Sequence, residues 1–178
     1  MRTRLLALVL LTAALCVGLP AGASARSGEA PAAATFVFAS DRDGDGDIYL
    51  ALPDGSVRNL TDNREPDWDP ALSPRGDLVA FVSRRDGNPE IYLLNLAVGN
   101  VINVTNHPAA DYEPAWSPDG TRLAFVSERD GGRDLYILEW ARGVTVRLTQ
   151  AGPGEIYRSP AWSPDGRAIA YSAVRGGV

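Results

Sequence analysis

The 178-residue chain has no lysine, one cysteine, one histidine and one methionine. Each scarcity removes a class of chemistry. Cys16 lies in the first 25 residues, so a chain processed beyond them has neither a disulfide nor a thiol nucleophile, and packing alone must hold its fold. His107 sits in an Asn-His-Pro loop, and no Gly-x-Ser-x-Gly elbow accompanies it, which argues against a serine-type nucleophile with a histidine base. Ser73, Ser117 and Ser163 each precede proline and read as turn residues. All 17 basic residues are arginine, against 22 acidic ones; losing Arg2 and Arg4 with a leader would take the net charge from −5 to −7. An acidic chain without a basic stripe excludes nucleic acid and an anionic membrane surface as expected partners.

What is present begins with Arg2 and Arg4, an apolar run from Leu5 to Val17, Pro20, and the small residues Ala23-Ser24-Ala25. This pattern predicts a secretory signal peptide over 1–25, its apolar run too short to span a bilayer, and a mature protein starting at Arg26 outside the cytoplasm, periplasmic or extracellular. Leu15 before Cys16 is too large for a lipoprotein cleavage site. Residues 26–34, rich in Ala, Ser, Gly and Pro, read as a flexible linker.

From Thr35 onward the chain repeats itself. Asp69–Ser83, Glu113–Ser127 and Ser159–Ala173 align on P-A-[LW]-S-P; Phe38–Leu50, Phe81–Leu93 and Phe125–Ile137 align on a turn followed by [DE]-x-Y. A third landmark ends in Thr61, Thr105 and Thr149, spaced 44 residues apart, while Trp116 and Trp162 are 46 apart. Short strands at this period predict β-propeller blades of four antiparallel strands, A to D from inner to outer. In one unit, Pro114–Ser117 is strand A, Pro118-Asp119-Gly120 a tight turn, Arg122–Ser127 strand B, Asp134–Glu139 strand C and Val144–Leu148 strand D. The first unit lacks A and the last stops after B, so the expected fold is all-β, a partial propeller of thirteen strands or about three and a quarter blades. Trp116, Phe125, Trp162 and Tyr171 are the expected core aromatics.

Together the motifs P-A-W-S-P-D-G, A-F-V-S-x-R-D-G and D-x-Y resemble the WD40-like repeat of the TolB family, which also occurs in the propellers of prolyl-oligopeptidase-type enzymes. The resemblance covers 35–178. It implies a non-catalytic, exported, protein-binding propeller, TolB being a periplasmic protein whose propeller and separate N-terminal domain bind envelope proteins. That N-terminal domain has no counterpart in the repeats. The alternative is the propeller portion of a hydrolase whose catalytic domain is absent; a further alternative is a calcium-binding propeller.

Three groups of residues could carry binding. Asp41, Asp43, Asp45 and Asp47 alternate in D-R-D-G-D-G-D like the start of a calcium loop, yet Leu52 occupies the place of its closing glutamate, and a metal-free turn between strands B and C is the other reading. Asn59 and Asn103 satisfy glycosylation sequons but fall in strand D. Asp67-Trp68-Asp69, Asp111-Tyr112-Glu113 and Tyr157-Arg158 lie just before strand A; they are expected either to rim the channel mouth as a recognition surface or to cap loop amides. Thirteen strands leave two blade faces uncovered, with Ile48 and Leu50 expected on one and Ile169 and Tyr171 on the other. That predicts a homodimer completing the ring, or a longer chain.

Overall fold

The computed structural model describes residues 34–175, so the leader over 1–25 and nearly all of the linker lie outside the described residues. Four antiparallel sheets follow one another in chain order. Blade 1 holds β1 (Phe36–Ser40), β2 (Asp47–Ala51) and β3 (Val57–Asn59). Blade 2 holds β4 (Asp67–Leu72), β5 (Leu78–Ser83), β6 (Glu90–Asn95) and β7 (Val101–Asn103). Blade 3 repeats this with β8 (Asp111–Trp116), β9 (Leu123–Ser127), β10 (Asp134–Glu139) and β11 (Val144–Arg147), and blade 4 holds β12 (Glu155–Trp162) and β13 (Ile169–Arg175). The expected partial propeller is therefore what forms. Among the described residues no helix is long and apolar enough to cross a membrane.

The turns follow local chemistry. In each Ser-Pro-x-Gly turn the glycine amide donates to the serine carbonyl, at 2.9 Å for Gly76, Gly120 and Gly166. Gly120 has φ of 70°, which a residue with a Cβ adopts at a cost. Alternation then sorts the strands. Ala80, Val82, Ile91 and Leu93 of blade 2 pack on Leu123, Phe125, Tyr136 and Leu138 of blade 3, while Val79, Phe81, Tyr92 and Leu94 point the other way onto Ile48 of blade 1. Strands β5 and β6 thus bury both faces, which is why their sequences run apolar without a polar stripe. Each fully buried side chain such as Phe81 or Phe125 contributes about 1.5–3 kcal/mol.

Neighbouring blades are also tied by backbone. Asp67 N–H donates to Gly46 O at 2.6 Å, Asp111 to Pro89 at 2.9 Å and Tyr157 to Arg133 at 2.9 Å. In each case the first residue of an inner strand, or its equivalent in β12, meets the turn that precedes the third strand of the blade before it.

Three expectations need correction. The triplets at 67–69 and 111–113 and the residues at 157–158 do not precede the inner strands; they are part of them, because a β-bulge lets pairing resume before the proline. Asp69, Glu113 and Ser159, each followed by proline, hold φ of 49°, 53° and 52°, a left-handed conformation that is strained for a residue with a Cβ. Ile48 is not on an open face but wholly buried against blade 2, and Leu50 is buried as well; the face away from blade 2 carries Phe38 and Phe36, the latter 52% exposed. At the other end Tyr171 occupies the place of Phe125 and packs edge-on against Tyr157, centroids 5.3 Å apart, yet remains 45% exposed and outside the core. Trp116 and Trp162 are half-buried.

Candidate functional site

Most of the recurring polar residues turn out to hold the blades together. In blades 2 and 3 an arginine from the turn after the second strand reaches back under its own sheet. Arg85 Nε donates to Ser83 Oγ at 2.9 Å and its NH2 group to both oxygens of Asp67 at 3.1 and 2.9 Å, with the guanidinium 5.2 Å above the Phe81 ring and 4.8 Å from that of Tyr92. Arg129 does the same with Ser127 at 2.8 Å, Asp111 at 3.1 and 3.0 Å, Phe125 and Tyr136. The side chains of Asp67 and Asp111 are fully shielded from solvent. Burial pushes the Asp111 carboxyl up, while Ser127 and Arg129 pull it down. Removing one partner of such a pair strands the other charge, so these acids belong to the framework and are closed to a ligand.

A second repeated device uses the threonine landmark. Thr61, Thr105 and Thr149 each accept, at 2.9 Å, the amide of the residue that opens or nearly opens the third strand, namely Ile48, Ile91 and Leu135. Their hydroxyls donate to Asp47, Glu90 and Asp134. The third device closes the turn between the second and third strands: Tyr49, Tyr92 and Tyr136 donate to Asp43, Asp86 and Asp130. The bond to Asp43, with some burial, pushes the Tyr49 phenol up to about 12; burial first, then the aspartate, raises Tyr92 and Tyr136 as well.

These devices bear on two sequence readings. Of the four aspartates at 41–47, Asp43 is held by Tyr49 and the buried Asp47 by Thr61 and Asn59, so they do not converge; among the described residues no group of three or more carboxylate, histidine or cysteine side chains is placed to hold a metal ion. The sequon amides are likewise engaged, Asn59 with Asp47 at 2.8 Å and Asn103 with Asp86 at 3.2 Å. His107 Nδ1 accepts the Ala109 amide at 3.1 Å and serves its loop. Ser117 Oγ donates to Asp119 at 2.6 Å and accepts the Arg122 amide at 3.0 Å, bonds that close its own turn.

The aromatic residues near the start of the inner strands are partly covered by arginines. The exposed Arg84 lies 5.7 Å over the half-buried Trp68 ring, and Arg133 lies 5.3 Å over Tyr112 while bridging to Glu128 at 2.8 Å. Between these pairs runs a line of bulge residues: the Glu113 amide faces the Asp69 carboxylate, and Glu113 Oε2 accepts the Ser159 amide. Partial desolvation, then the Glu113 charge, raises the Asp69 pKa, although Asp69 keeps solvent contact. Tyr157 donates to Glu155 at 3.0 Å, and Arg158 is exposed. Arg84 and Arg133 were missed because they sit 16 and 21 residues from the rings they cover.

Comparison with known proteins agrees with this architecture. The sequence model of the TolB beta propeller domain matches residues 55–178. Over 55 residues the chain is 49% identical to the Protein TolB homolog of Chlorobium luteolum, an alignment covering 30% of this chain and 13% of that protein. Among solved structures it superposes on a protein assigned to TolB from Agrobacterium tumefaciens with a TM-score of 0.73 at 23% identity, over 81% of this chain and 52% of that one. A puromycin hydrolase shares the fold at a TM-score of 0.59 and 18% identity, over 73% of this chain and 21% of the enzyme. The chain thus spans about half the length of the TolB structure it matches and far less of the curated relative.

Proposed function

Because the chain belongs to the TolB beta propeller domain family, we propose that it is an exported, non-catalytic propeller module that binds a protein partner through the channel-mouth face carrying Trp68, Arg84, Tyr112 and Arg133. The observation that carries this reading is the pair of half-buried, arginine-capped aromatic rings beside Asp67 and Asp111, whose own carboxylates are consumed in ion pairs. Aromatic side chains and arginine are the residues over-represented at the centres of protein interfaces, since they bring large contact area at low conformational cost. The export half is supported by the leader pattern at 1–25. Intact mass of the extracytoplasmic protein should begin at Arg26.

Photo-crosslinking tests the binding half. A photoreactive residue at Tyr112 should give a discrete adduct with an envelope protein that disappears when Arg133→Ala is added. The same probe at Val98, 74% exposed in the turn at the opposite ends of β6 and β7, should give none. Identical adducts from both positions contradict the reading. The propeller portion of a hydrolase is the second reading, favoured by the fold shared with puromycin hydrolase; a reading frame continuing past Val178 into a Gly-x-Ser-x-Gly segment would select it.

A further inference from the structure

The described residues contain seven Asp-Gly pairs, all in connections between strands, and six of them are tied down at both residues. Asp43, Asp86 and Asp130 accept the hydroxyls of Tyr49, Tyr92 and Tyr136, while Asp54, Asp119 and Asp165 accept those of Ser56, Ser117 and Ser163. In each of the six the glycine amide donates to the carbonyl three residues back, as Gly44 does to Asp41 at 3.1 Å and Gly55 to Leu52 at 2.9 Å. Asp45-Gly46 is the seventh. Among the described residues nothing donates to its carboxylate, its glycine amide donates to no acceptor, and neither residue is buried. Blades 2 and 3 carry different chemistry at this position. Asn88-Pro89 has a nitrogen without a proton, and Asn88 is bonded to Glu90 at 2.8 Å and to the His107 carbonyl at 2.9 Å; Gly132-Arg133 has no side-chain carboxyl.

We propose that Asp45-Gly46 is a site of spontaneous backbone isomerisation, at which aspartate converts to isoaspartate. The Gly46 nitrogen attacks Cγ of the Asp45 carboxyl. The new N–Cγ bond forms as the Cγ–OH bond breaks, the amide proton leaves with that hydroxyl as water, and a five-membered succinimide results. Water then adds to the α-carbonyl of the ring, the bond from that carbon to the Gly46 nitrogen breaks, and the proton goes to nitrogen. The chain now runs through the side-chain carbon and leaves the α-carboxyl free; addition at the other carbonyl returns aspartate. The water lost in the first step is regained in the second, so the reaction needs no co-reactant. Glycine assists because no Cβ shields the attacking nitrogen. The product lengthens the main chain by one methylene immediately before Gly46, whose carbonyl accepts the Asp67 amide at 2.6 Å and so ties blade 1 to blade 2. The corresponding tie between blades 2 and 3, from Asp111 to Pro89, is left alone.

The full chain is aged in neutral buffer at physiological temperature, digested with trypsin, and sequenced by electron-transfer dissociation, which tells isoaspartate from aspartate. The tryptic peptide 43–58 carries three of the pairs and compares them internally. Isoaspartate is expected to accumulate at 45 about tenfold or more faster than at 43 or 54, since each of those carboxylates must first give up a hydrogen bond. Chain aged in urea should lose that preference. Gly46→Ala should slow the reaction; its Cβ would meet the Asp67 oxygen and Pro66 Cβ at an ordinary 3.5 Å and the position is outside the left-handed region, so the variant folds. In the isomerised fraction the Asp67 amide should exchange faster, and that of Asp111 should not. Equal isoaspartate at 43, 45 and 54 in the folded chain, or none at 45, overturns the proposal. So does an isomerised fraction whose Asp67 amide keeps its exchange rate.

Discussion

The indole Nε1 of Trp116 donates to the carbonyl oxygen of Ala71 at 3.0 Å, a bond between the inner strands of adjacent blades that Trp162 repeats on Ala115 at 3.1 Å. Trp116 also meets Trp140 edge-on at 6.3 Å. The side chain thus joins packing to a directional tie. Trp116→Ala should cost about 3 kcal/mol on urea unfolding, and Trp116→Phe, which keeps a ring but frees the carbonyl, about 1 kcal/mol. Equal losses for the two would show that the bond to Ala71 contributes nothing.

The buried pair of Asp111 and Arg129 predicts a larger effect. Asp111→Ala leaves a guanidinium with its carboxylate gone beneath the blade, and the expected loss is about 3–5 kcal/mol. Replacing the exposed Arg158 should change stability by less than about 0.5 kcal/mol. Thermal and urea unfolding of both variants checks the contrast, which assigns Asp111 to the framework and not to a binding surface.

The threonine latch is tested at blade 2. Thr105→Val keeps shape but leaves the Ile91 amide and the Glu90 carboxylate without their shared hydroxyl, costing about 1–3 kcal/mol. Thr105→Ser should restore most of it. A Val variant as stable as the parent would mean that the repeated threonine is a matter of strand propensity alone.

The Ser-Pro-Asp-Gly turns predict an acid-side change. Bonds from Ser117 and from the Thr121 amide and hydroxyl hold the Asp119 carboxyl down to about 2, and Ser163 with the Arg167 amide lowers Asp165 likewise. A folded-state pKa below the unfolded value means stability fully present above about pH 4 and lost as pH falls through the folded pKa, near 2 for Asp119. Carbon-detected NMR titration should give an Asp119 midpoint near 2. A midpoint at the ordinary carboxylate value of 3.8 would contradict the turn geometry.

The fold was legible because its punctuation is local. Ser-Pro-Asp-Gly writes its own turn, and the period of Thr61, Thr105 and Thr149 counts blades without reference to packing. The site was less legible because it depends on contacts between copies. Asp67 and Trp68 are adjacent in sequence, yet one points into an ion pair with Arg85, 18 residues on, and the other carries Arg84 on the surface. A signal did exist. The inner-strand aspartate and its cross-strand serine occur together as Asp67 with Ser83 and Asp111 with Ser127, and they vanish together as Tyr157 with Ala173. Paired loss of that kind marks a structural partnership. At 41–47 alternate acids in a line resemble a cation loop, and the sequence does not show that the tyrosine six residues after Asp43 donates to it. The open faces were misassigned because Ile48 and Tyr49 are both apolar, and alternation alone does not say which of them faces blade 2.

Recognition through the arginine-capped rings can be measured most directly with the partner captured at Tyr112. Purified and titrated by calorimetry, it should bind the parent chain, and Arg84→Ala and Arg133→Ala should each raise Kd by more than tenfold, about 1.4 kcal/mol or more, with little change in melting temperature. Unchanged affinity in both variants, with the fold intact, would contradict the assignment of this face.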